Sequence, residues 1–431
     1  MFNCAYGNFQ ESRFLGYRAV GDAAGDTFPS ELRHLVSPID GGNLEAIYDL
    51  PAITRGIDRD QPRPGRSQWR WSFLLPLLDP THLVSMGEGA TPLLPADRLG
   101  AELGVKQLYI KDESRNPTGS FKDRGSSVTV SKCVELGHKS IVVASSGNLA
   151  CSLAAYSTRG GRKFYGLIRD DTTDVVRLNT LVMGQKIFVV EGGMLNGSAI
   201  ARELAERFGF FHAVQPYNLF RIEGKKTLAF EIVEDLGWKV PDRVMVPTSG
   251  CTNVLALHKG FRELLEIGWI DRMPAIDAIQ PSGCAPVHEA WSEKRRVEQS
   301  RGAGTTLVGL GHPMPAAGDA SVAIMNETGG VGLTADDSAT YDAARLIAAT
   351  EGLFLQPASA IPVAALRDPR NAEHTRAVRE QTIIVIGTAS GKNHIREPLA
   401  ALAAPPRISK GVEELIAMDP ELRQLPPCRS V

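Results

Sequence analysis

From about residue 105 onward, short runs of β-branched and apolar residues alternate with segments that have helical periodicity. Runs such as SIVVASS (140–146), RVMVPTS (243–249) and TIIVIGT (382–388) lack the polar alternation of a half-exposed strand, so we expect both of their faces to be buried. This alternation predicts an α/β fold in which helices cover parallel-rich sheets. Ligands in such folds bind beyond the carboxyl ends of the strands, so the loops that follow the strands are the first place to look for a site.

The composition excludes several classes of partner. The 431 residues carry 47 Lys and Arg against 49 Asp and Glu, a net charge of -2, which favours neither nucleic acid nor an anionic membrane as a partner. No apolar stretch approaches the ~20 residues of a membrane helix, and the first residues do not read as a secretory signal. The 6 cysteines are scattered without a CxxC pair, so we expect no disulfide framework, no metal site and a reducing, cytoplasmic environment.

The loop SRNPTGSFKDRG (114–125) sets one lysine in an unusual position. Lys122 follows a Gly-containing turn and the apolar Phe121, at the mouth of the expected crevice. Desolvation there would lower the pKa of its amine and make it a usable nucleophile. The alternative for any lysine near a helix start is an ordinary solvated side chain.

The loop after the strand RVMVP fits a phosphate site. Thr248 to Asn253 combine small, hydroxyl and amide residues and lead into a helix, whose first N–H groups and dipole favour an anion. The alternative is an ordinary N-cap made by Ser249 or Thr252.

Six motifs in a fixed order carry a family resemblance. They are EGATPLLPA (88–96), KDESRNPTGSFKDRG (111–125), ASSGNLACSLAAYSTRGG (144–161), FRIEGKKTLAFEIVEDLG (220–237), VPTSGCTN (246–253) and EGLFLQPASA (351–360). Together they resemble the threonine synthases, which are pyridoxal-phosphate (PLP) enzymes of the tryptophan-synthase-β type, or fold type II. The resemblance covers roughly 80 to 395 and implies a two-lobed α/β fold with PLP as cofactor.

The resemblance also implies residue roles. Lys122 would hold PLP as a Schiff base, Phe121 would pack beside the ring, and Asn148 would meet the ring hydroxyl. The cofactor phosphate would bind to Ser249, Gly250, Cys251, Thr252 and Asn253. A hydroxyl after the last strand would meet the pyridine nitrogen, with Thr388 as first choice and Ser390 as second. The carboxylate or phosphate of an amino-acid substrate would bind to Asn116, Thr118, Ser120 and Ser146.

Four departures from the family pattern suggest altered substrate choice with PLP retained. The N-terminal segment looks like a cysteine-rich, zinc-ribbon-like element whose cysteines are gone apart from Cys4. The phosphate loop reads SGCTN in place of a sequence like GNAGN, Gln356 replaces a glutamate, and TASGKNH replaces an ending of the Gly-His-Gly type. A divergent paralogue is therefore an open alternative.

Four functions follow from the resemblance. The first is conversion of O-phosphohomoserine and water into threonine and phosphate. The others are β-replacement on O-phosphoserine, as in a cysteate-synthase-like enzyme that uses sulfite, β-elimination by a dehydratase or ammonia-lyase, and a catalytically silent binding protein. A homodimer is expected, with a monomer as the alternative.

The predicted organisation has four parts. Residues 1–80 form an extension, 81–125 with 220–400 form the large PLP-binding domain, 126–219 form a small mobile domain, and 401–431 form a C-terminal tail.

Overall fold

The computed structural model describes residues 3–4, 7–20, 26–31, 37–38, 42–61, 63, 65–145, 147–169, 172–191, 193–214 and 218–393. The strands are β1 Asn3–Cys4, β2 Gly7–Asn8, β3 Phe14–Ala19, β4 Thr27–Phe28, β5 Leu44–Tyr48, β6 Leu93–Pro95, β7 Gln107–Asp112, β8 Ser140–Ala144, β9 Lys163–Ile168, β10 Lys186–Val189, β11 Phe211–His212, β12 Arg243–Pro247, β13 Ala275–Pro281, β14 Gly332–Ala335 and β15 Thr382–Gly387. The α-helices are α1 Leu50–Gly56, α2 Asp97–Leu103, α3 Lys122–Glu135, α4 Asn148–Arg159, α5 Asp174–Val182, α6 Gly193–Phe208, α7 Leu219–Asp235, α8 Thr252–Glu266, α9 Pro286–Ser292, α10 Gly318–Thr328, α11 Asp337–Glu351, α12 Ile361–Arg367 and α13 Ala372–Val378. Short 3₁₀ helices lie at Gln68–Leu74, Pro80–His82, Glu113–Arg115, Pro357–Ala360, Pro369–Asn371 and Gly391–Asn393.

The larger sheet has six strands in the order β14-β13-β12-β15-β7-β6. All of its pairings are parallel except that of β6 with β7. Successive residues of its central strands enter opposite cores, because Val244 and Val246 pack in one apolar cluster while Met245 packs in the other. Burial on both faces explains why these strands read as unbroken apolar runs.

A second sheet has the order β10-β9-β8-β11 and is parallel throughout. All of its strands come from residues 140–212, inside the segment predicted as the small domain. The α/β architecture with parallel-rich sheets is confirmed, whereas the domain boundaries and the mobility of this segment stay predictions.

The N-terminal extension contains a small sheet and a helix of its own. Strands β3, β4 and β5 form an antiparallel sheet, and helix α1 follows it. In β5 the buried residues Leu44, Ala46 and Tyr48 alternate with half-buried ones, a period-2 signal too short to stand out in the sequence. The Tyr48 hydroxyl donates to Glu223 of α7 at 2.7 Å, which ties this sheet to helix α7.

Within the described ranges, no group of three or more His, Cys, Asp and Glu side chains could hold a metal ion. Within the same ranges, no helix has both the length and the apolar character needed to span a bilayer. The predicted tail 401–431 lies outside the described residues.

Helices α3 and α7 pack very closely, and glycines allow it. A Cβ at Gly224 would lie 2.0 Å from the carbonyl oxygen of Arg124, and one at Gly125 would lie 3.0 Å from the Cα of Arg221. The helices therefore touch backbone to backbone. This contact brings the first residue of α3, Lys122, next to the first turns of α7.

Candidate active site

The turn that carries Lys122 is anchored on the end of β15. Gly119 has a positive φ of 75°, and the Phe121 amide donates to the carbonyl of Thr388 at 3.0 Å. Ser120 is fully buried, and its Oγ accepts from the amide of Lys122 at 3.2 Å. Lys122 is thus held at the first position of α3 beside the carboxyl end of a central strand.

Three basic side chains meet at this position. The Nζ of Lys122 lies 4.2 Å from the centre of the Phe121 ring, and the Nζ of Lys225 lies 4.9 Å from the same point. Arg221 and Lys225 are four residues apart on one face of α7, with 7% and 2% of their surface exposed. In the described part of the chain, none of the three forms an ion pair, and the Nε of Arg221 has no hydrogen-bond partner.

Their pKa values reflect this setting. Burial, with the charge of Arg221 as a smaller cause, lowers the pKa of Lys122 to about 7. Burial and the neighbouring charges of Lys122 and Arg221 hold the pKa of Lys225 well below its ordinary value, and burial lowers that of Arg221 to about 10. The sequence-based expectation of a desolvated, nucleophilic Lys122 agrees with this environment.

The three basic groups border a cavity of about 630 Å³. Lys122 and Arg221 line it directly, and Lys225 reaches its wall by donating to the Thr252 hydroxyl at 2.7 Å. Among the described residues that line this cavity there is no Asp or Glu. A cavity with basic groups and no acid is suited to an anionic ligand.

The predicted phosphate loop forms another wall of the cavity, with Ser249, Gly250, Cys251, Thr252 and Asn253 all in contact with it. Cys251 has a φ of 66°, a conformation that favours glycine, and helix α8 begins directly after it. In the described part of the chain, the amides of these five residues donate to no protein acceptor, and the Oδ1 of Asn253 is buried without a partner. Open N–H groups at a helix start, beside a lysine, fit a phosphate dianion.

Asn148, the first residue of α4, lines the cavity beside Gln356. Its Nδ2 donates to the Oε1 of Gln356 at 2.8 Å, and its Oδ1 accepts from the Nδ2 of Asn393 at 3.1 Å. Two of the departures from the family pattern, Gln356 and the segment TASGKNH, therefore converge on the residue expected to meet the ring hydroxyl.

The two candidates for the pyridine nitrogen occupy different places. Thr388 lines the cavity, and its Oγ1 lies 2.8 Å from the Oγ of Ser359. Ser390 lines a second cavity of about 610 Å³ instead, and its Oγ accepts from the amide of Lys392. Thr388 is the better placed of the two, although contact with the cofactor stays a prediction.

The structure gives the predicted substrate residues internal partners. Asn116 and Thr118 line the second cavity, where Asn116 donates to Glu113 and Thr118 donates to Asp123 at 2.6 Å. Within the described residues, neither they nor Ser120 line the first cavity. Ser146 lies outside the described residues, while its neighbour Ser145 lines the first cavity. Their contact with substrate stays a prediction.

Sequence reasoning gave no role to several cavity residues. Arg221 and Lys225 belong to the motif FRIEGKKT, and their spacing of four on a predicted helix could have marked them as one basic face. The segment 305–312 also lines the cavity, but it lies between two helices and carries no periodic pattern that points to a site.

Comparisons with known proteins identify the family to which the chain belongs. Residues 84–388 match the family model described as pyridoxal-phosphate dependent enzyme. The threonine synthase of Methanocaldococcus jannaschii is 36% identical over 371 residues, 84% of this chain and 89% of that protein. The threonine synthase of Methanosarcina acetivorans is 33% identical over 354 residues, 80% of this chain and 85% of that protein.

Solved structures support the fold. O-ureido-L-serine synthase matches with a TM-score of 0.60 and 24% identity, over 76% of this chain and 96% of that one. The L-serine ammonia-lyase of Rhizomucor miehei matches with a TM-score of 0.62 and 18% identity, over 72% of this chain and 96% of that one. These likenesses show fold type II.

The residues present fit PLP as the cofactor. An amine for the aldehyde, open amides for the phosphate and an amide side chain for the ring oxygen all border one cavity, whose lining among the described residues includes no Asp or Glu. The lysine motif, the order of the loops and the identity with the relatives point to one family. The chain is a PLP-dependent enzyme of fold type II, and it belongs to the threonine synthase family.

Proposed function

We propose that this enzyme converts O-phosphohomoserine and water into threonine and phosphate. The observation that carries the proposal is a cavity with no acid among its described lining residues, bordered by three basic groups that have no acidic partner within the described chain. The relatives named threonine synthase, at 36% and 33% identity, support the same choice.

The number of basic groups favours a substrate with its own phosphate. Lys225 is tied to Thr252 in the loop that fits the cofactor phosphate. Arg221 stands apart from that contact, and its guanidinium has an unsatisfied Nε at the cavity wall. A guanidinium binds a second phosphate or a carboxylate through paired hydrogen bonds. Arg221 is therefore the candidate for the anionic groups of the substrate.

Lys122 is the candidate for proton transfer. Bound PLP supplies an electron sink that acidifies the C–H bonds of an attached amino acid. An amine with a pKa of about 7 is substantially unprotonated at neutral pH, so Lys122 can take a proton from Cα and move protons at Cβ. Its protonated form can then return a proton while phosphate leaves and water adds.

Thr388 would set the electronic character of the cofactor. A neutral hydroxyl cannot hold a proton on the pyridine nitrogen as a carboxylate would, and no acid among the described residues lines the cavity. The ring is then a weaker electron sink, which favours elimination and replacement over transamination.

A second candidate is β-replacement on O-phosphoserine. The departures at Thr252 and Gln356 support it, because both side chains form hydrogen bonds at the cavity wall. Such changes at the binding surface are the kind that alter substrate choice.

A substrate panel tests the proposal. The holoenzyme is offered O-phosphohomoserine, O-phosphoserine with and without sulfite, O-acetylserine and threonine, and phosphate, keto acid and amino-acid products are recorded. Threonine and phosphate in equal amounts from O-phosphohomoserine alone are the expected result. Turnover of O-phosphoserine with sulfite alone would establish the second candidate, and keto acid alone would indicate β-elimination. A homodimer and a cytoplasmic location stay predictions that gel filtration and cell fractionation can address.

A further inference from the structure

Three side-chain amides form a chain of hydrogen bonds along the cavity wall. The Nδ2 of Asn393 donates to the Oδ1 of Asn148 at 3.1 Å, the Nδ2 of Asn148 donates to the Oε1 of Gln356 at 2.8 Å, and the Nε2 of Gln356 donates to the carbonyl of Val308 at 3.0 Å. Asn393 also donates to the carbonyl of Thr118 at 3.1 Å. We call Asn393, Asn148 and Gln356 the amide relay.

The direction of the amide relay is fixed by its ends. Side-chain amides can be turned over, and only their partners decide which end is nitrogen. A backbone carbonyl can only accept, so Val308 requires the nitrogen of Gln356 and leaves its oxygen for Asn148. Asn148 must then present its nitrogen to Gln356 and its oxygen to Asn393. The Thr118 carbonyl at the other end requires the same orientation of Asn393.

With this direction, Asn148 has one hydrogen-bonding group left for the cavity. Its oxygen accepts from Asn393, and one N–H is used by Gln356. The remaining N–H of Nδ2 is the group left for a ligand. Towards a ligand Asn148 can therefore act only as a donor, and a donor to a ring oxygen would favour the ionised form of that oxygen.

We propose that Gln356 and Asn393 are positioning residues that hold Asn148 as an obligatory donor to the ring oxygen of PLP, without placing a negative charge beside it. The inference rests on the proposed cofactor site. It goes further by assigning a role to the glutamine that replaces the family's glutamate. A carboxylate at 356 could accept from Asn148, but when ionised it could not donate to Val308.

The charges around the cavity determine what effect a charged side chain at position 356 would have. Among the described residues, the charged or titratable side chains that line it are Lys122, Arg169, Arg221, Cys251 and His312. None of these is a carboxylate, so Gln356→Glu would introduce the first acid among the described lining residues. Its charge would stabilise the protonated form of a nearby imine, which raises the pH at which that proton is lost.

The amide relay also joins parts of the wall that are otherwise separate. Val308 belongs to the segment 305–312, which is held from behind by Asp337 through Thr305 at 2.7 Å and the Thr306 hydroxyl at 2.8 Å. Gln356 is the contact from Asn148 to this segment. Removing it should free the amide of Asn148 and loosen residues 305–311 together.

Two variants of Gln356 and one control test the proposal in the holoenzyme. Gln356→Glu adds the charge, Gln356→Met removes both hydrogen bonds without charge, and Gln280→Glu is the control. Gln280 is also fully buried, but its Oε1 accepts from the amides of Val287 and His288, so a carboxylate can replace it there. Measurements are the pH midpoint of the visible band of the lysine–PLP adduct, the Kd for PLP and hydrogen exchange of 305–311.

The expected results differ among the variants. Gln356→Glu should raise the pH midpoint by about one unit or more. Gln356→Met should weaken PLP binding by about threefold to tenfold and speed hydrogen exchange in 305–311. Gln280→Glu should match the wild type in all three measurements.

Failure of this proposal can be told apart from failure of the cofactor site. Absence of a visible band in the wild type would remove the cofactor site itself. A normal wild-type band, with pH midpoint, PLP affinity and hydrogen exchange unchanged in both Gln356 variants, would overturn the positioning role and leave the cofactor site standing.

Discussion

Two groups of basic side chains on and around helices α3 and α7 differ in their surroundings. In the first group, which we call the paired network, Arg124 bonds to Glu113 and Glu231 at 2.7 Å each, and Lys111 lies 3.2 Å from Glu231. All four of these side chains have 0% exposure. In the second group, the cavity cluster, Lys122, Arg221 and Lys225 have no acidic partner within the described chain.

This difference indicates that the paired network stabilises the fold, whereas the cavity cluster binds ligands. Charges that are buried with partners hold the helices together. Removing one member leaves the remaining charges buried without compensation for their lost hydration. Charges that are buried without partners lower the stability of the protein until an anion arrives, and the binding of that anion then stabilises the folded state. The paired network therefore positions the cavity cluster, and the cavity cluster is arranged for ligands.

The largest effect is expected at Lys122. Lys122→Ala should remove the visible band of the PLP adduct and lower turnover by at least ~10³-fold, because the amine that forms the adduct and moves protons is gone. The circular dichroism spectrum should stay that of the wild type. Lys106→Ala, which breaks a surface pair with Glu380, is the control and should keep both band and rate. A band that persists in Lys122→Ala would place the chemistry elsewhere.

A large loss of stability is expected in the paired network. Arg124→Met should lower the free energy of unfolding by about 3–5 kcal/mol, because Glu113 and Glu231 would be left buried without their partner. Urea unfolding of the PLP-free protein measures it. Arg296→Met, at a side chain that is 91% exposed, should change stability by less than about 0.5 kcal/mol. Equally small changes in the free energy of unfolding for Arg124→Met and Arg296→Met would show that the paired network does not support the fold.

The cavity cluster should respond in the opposite sense. Lys225→Met should weaken PLP binding by about tenfold or more, through loss of a charged group beside the phosphate loop. In the PLP-free protein the same change should raise stability at pH 7 by about 1 kcal/mol, because it removes a buried amine that has no acidic partner and whose charged form is disfavoured by burial.

The pH dependence of stability shows how the advantage of Lys225→Met should change with pH. The folded-state pKa of Lys225 is depressed, so between that pKa and about 10.5 the unfolded chain binds more protons and wild-type stability rises with pH. The advantage of Lys225→Met should therefore shrink as pH approaches 10. A variant that is less stable than the wild type at pH 7 would mean that Lys225 already has a stabilising partner.

The smallest effect concerns the rate of PLP capture by the PLP-free protein. Only the unprotonated amine attacks the aldehyde, so with a pKa of about 7 the rate should rise through pH 6 to 7 and level off above pH ~8. A stopped-flow record of the visible band measures this. A rate that keeps rising to pH 10 would indicate an ordinary, solvated lysine.

Much of the fold could be predicted from the sequence, for a physical reason. Strands such as Arg243–Pro247 are buried on both faces and must be apolar throughout, and helices such as Asp337–Glu351 carry a clear periodicity. The sequence did not predict the strands Phe14–Ala19 and Leu44–Tyr48, because short antiparallel strands give a weak alternating signal.

The site was only partly predictable. Lys122 and the loop 249–253 stand out because they follow strands and combine residues suited to an anion. The roles of Arg221, Lys225 and Asn393 depend on which side chains face each other across the cavity, and that is decided by the packing of α3 on α7 and by the loop after β15. Sequence order alone does not contain those contacts.

We propose that Lys122, and not the neighbouring Lys225, is the amine that binds the PLP aldehyde. Reduction of the holoenzyme with borohydride makes that bond permanent, and peptide mass spectrometry then locates it. We expect a phosphopyridoxyl group on Lys122 and an unmodified Lys225. A modified Lys225, or no modified lysine after saturation with PLP, would contradict it.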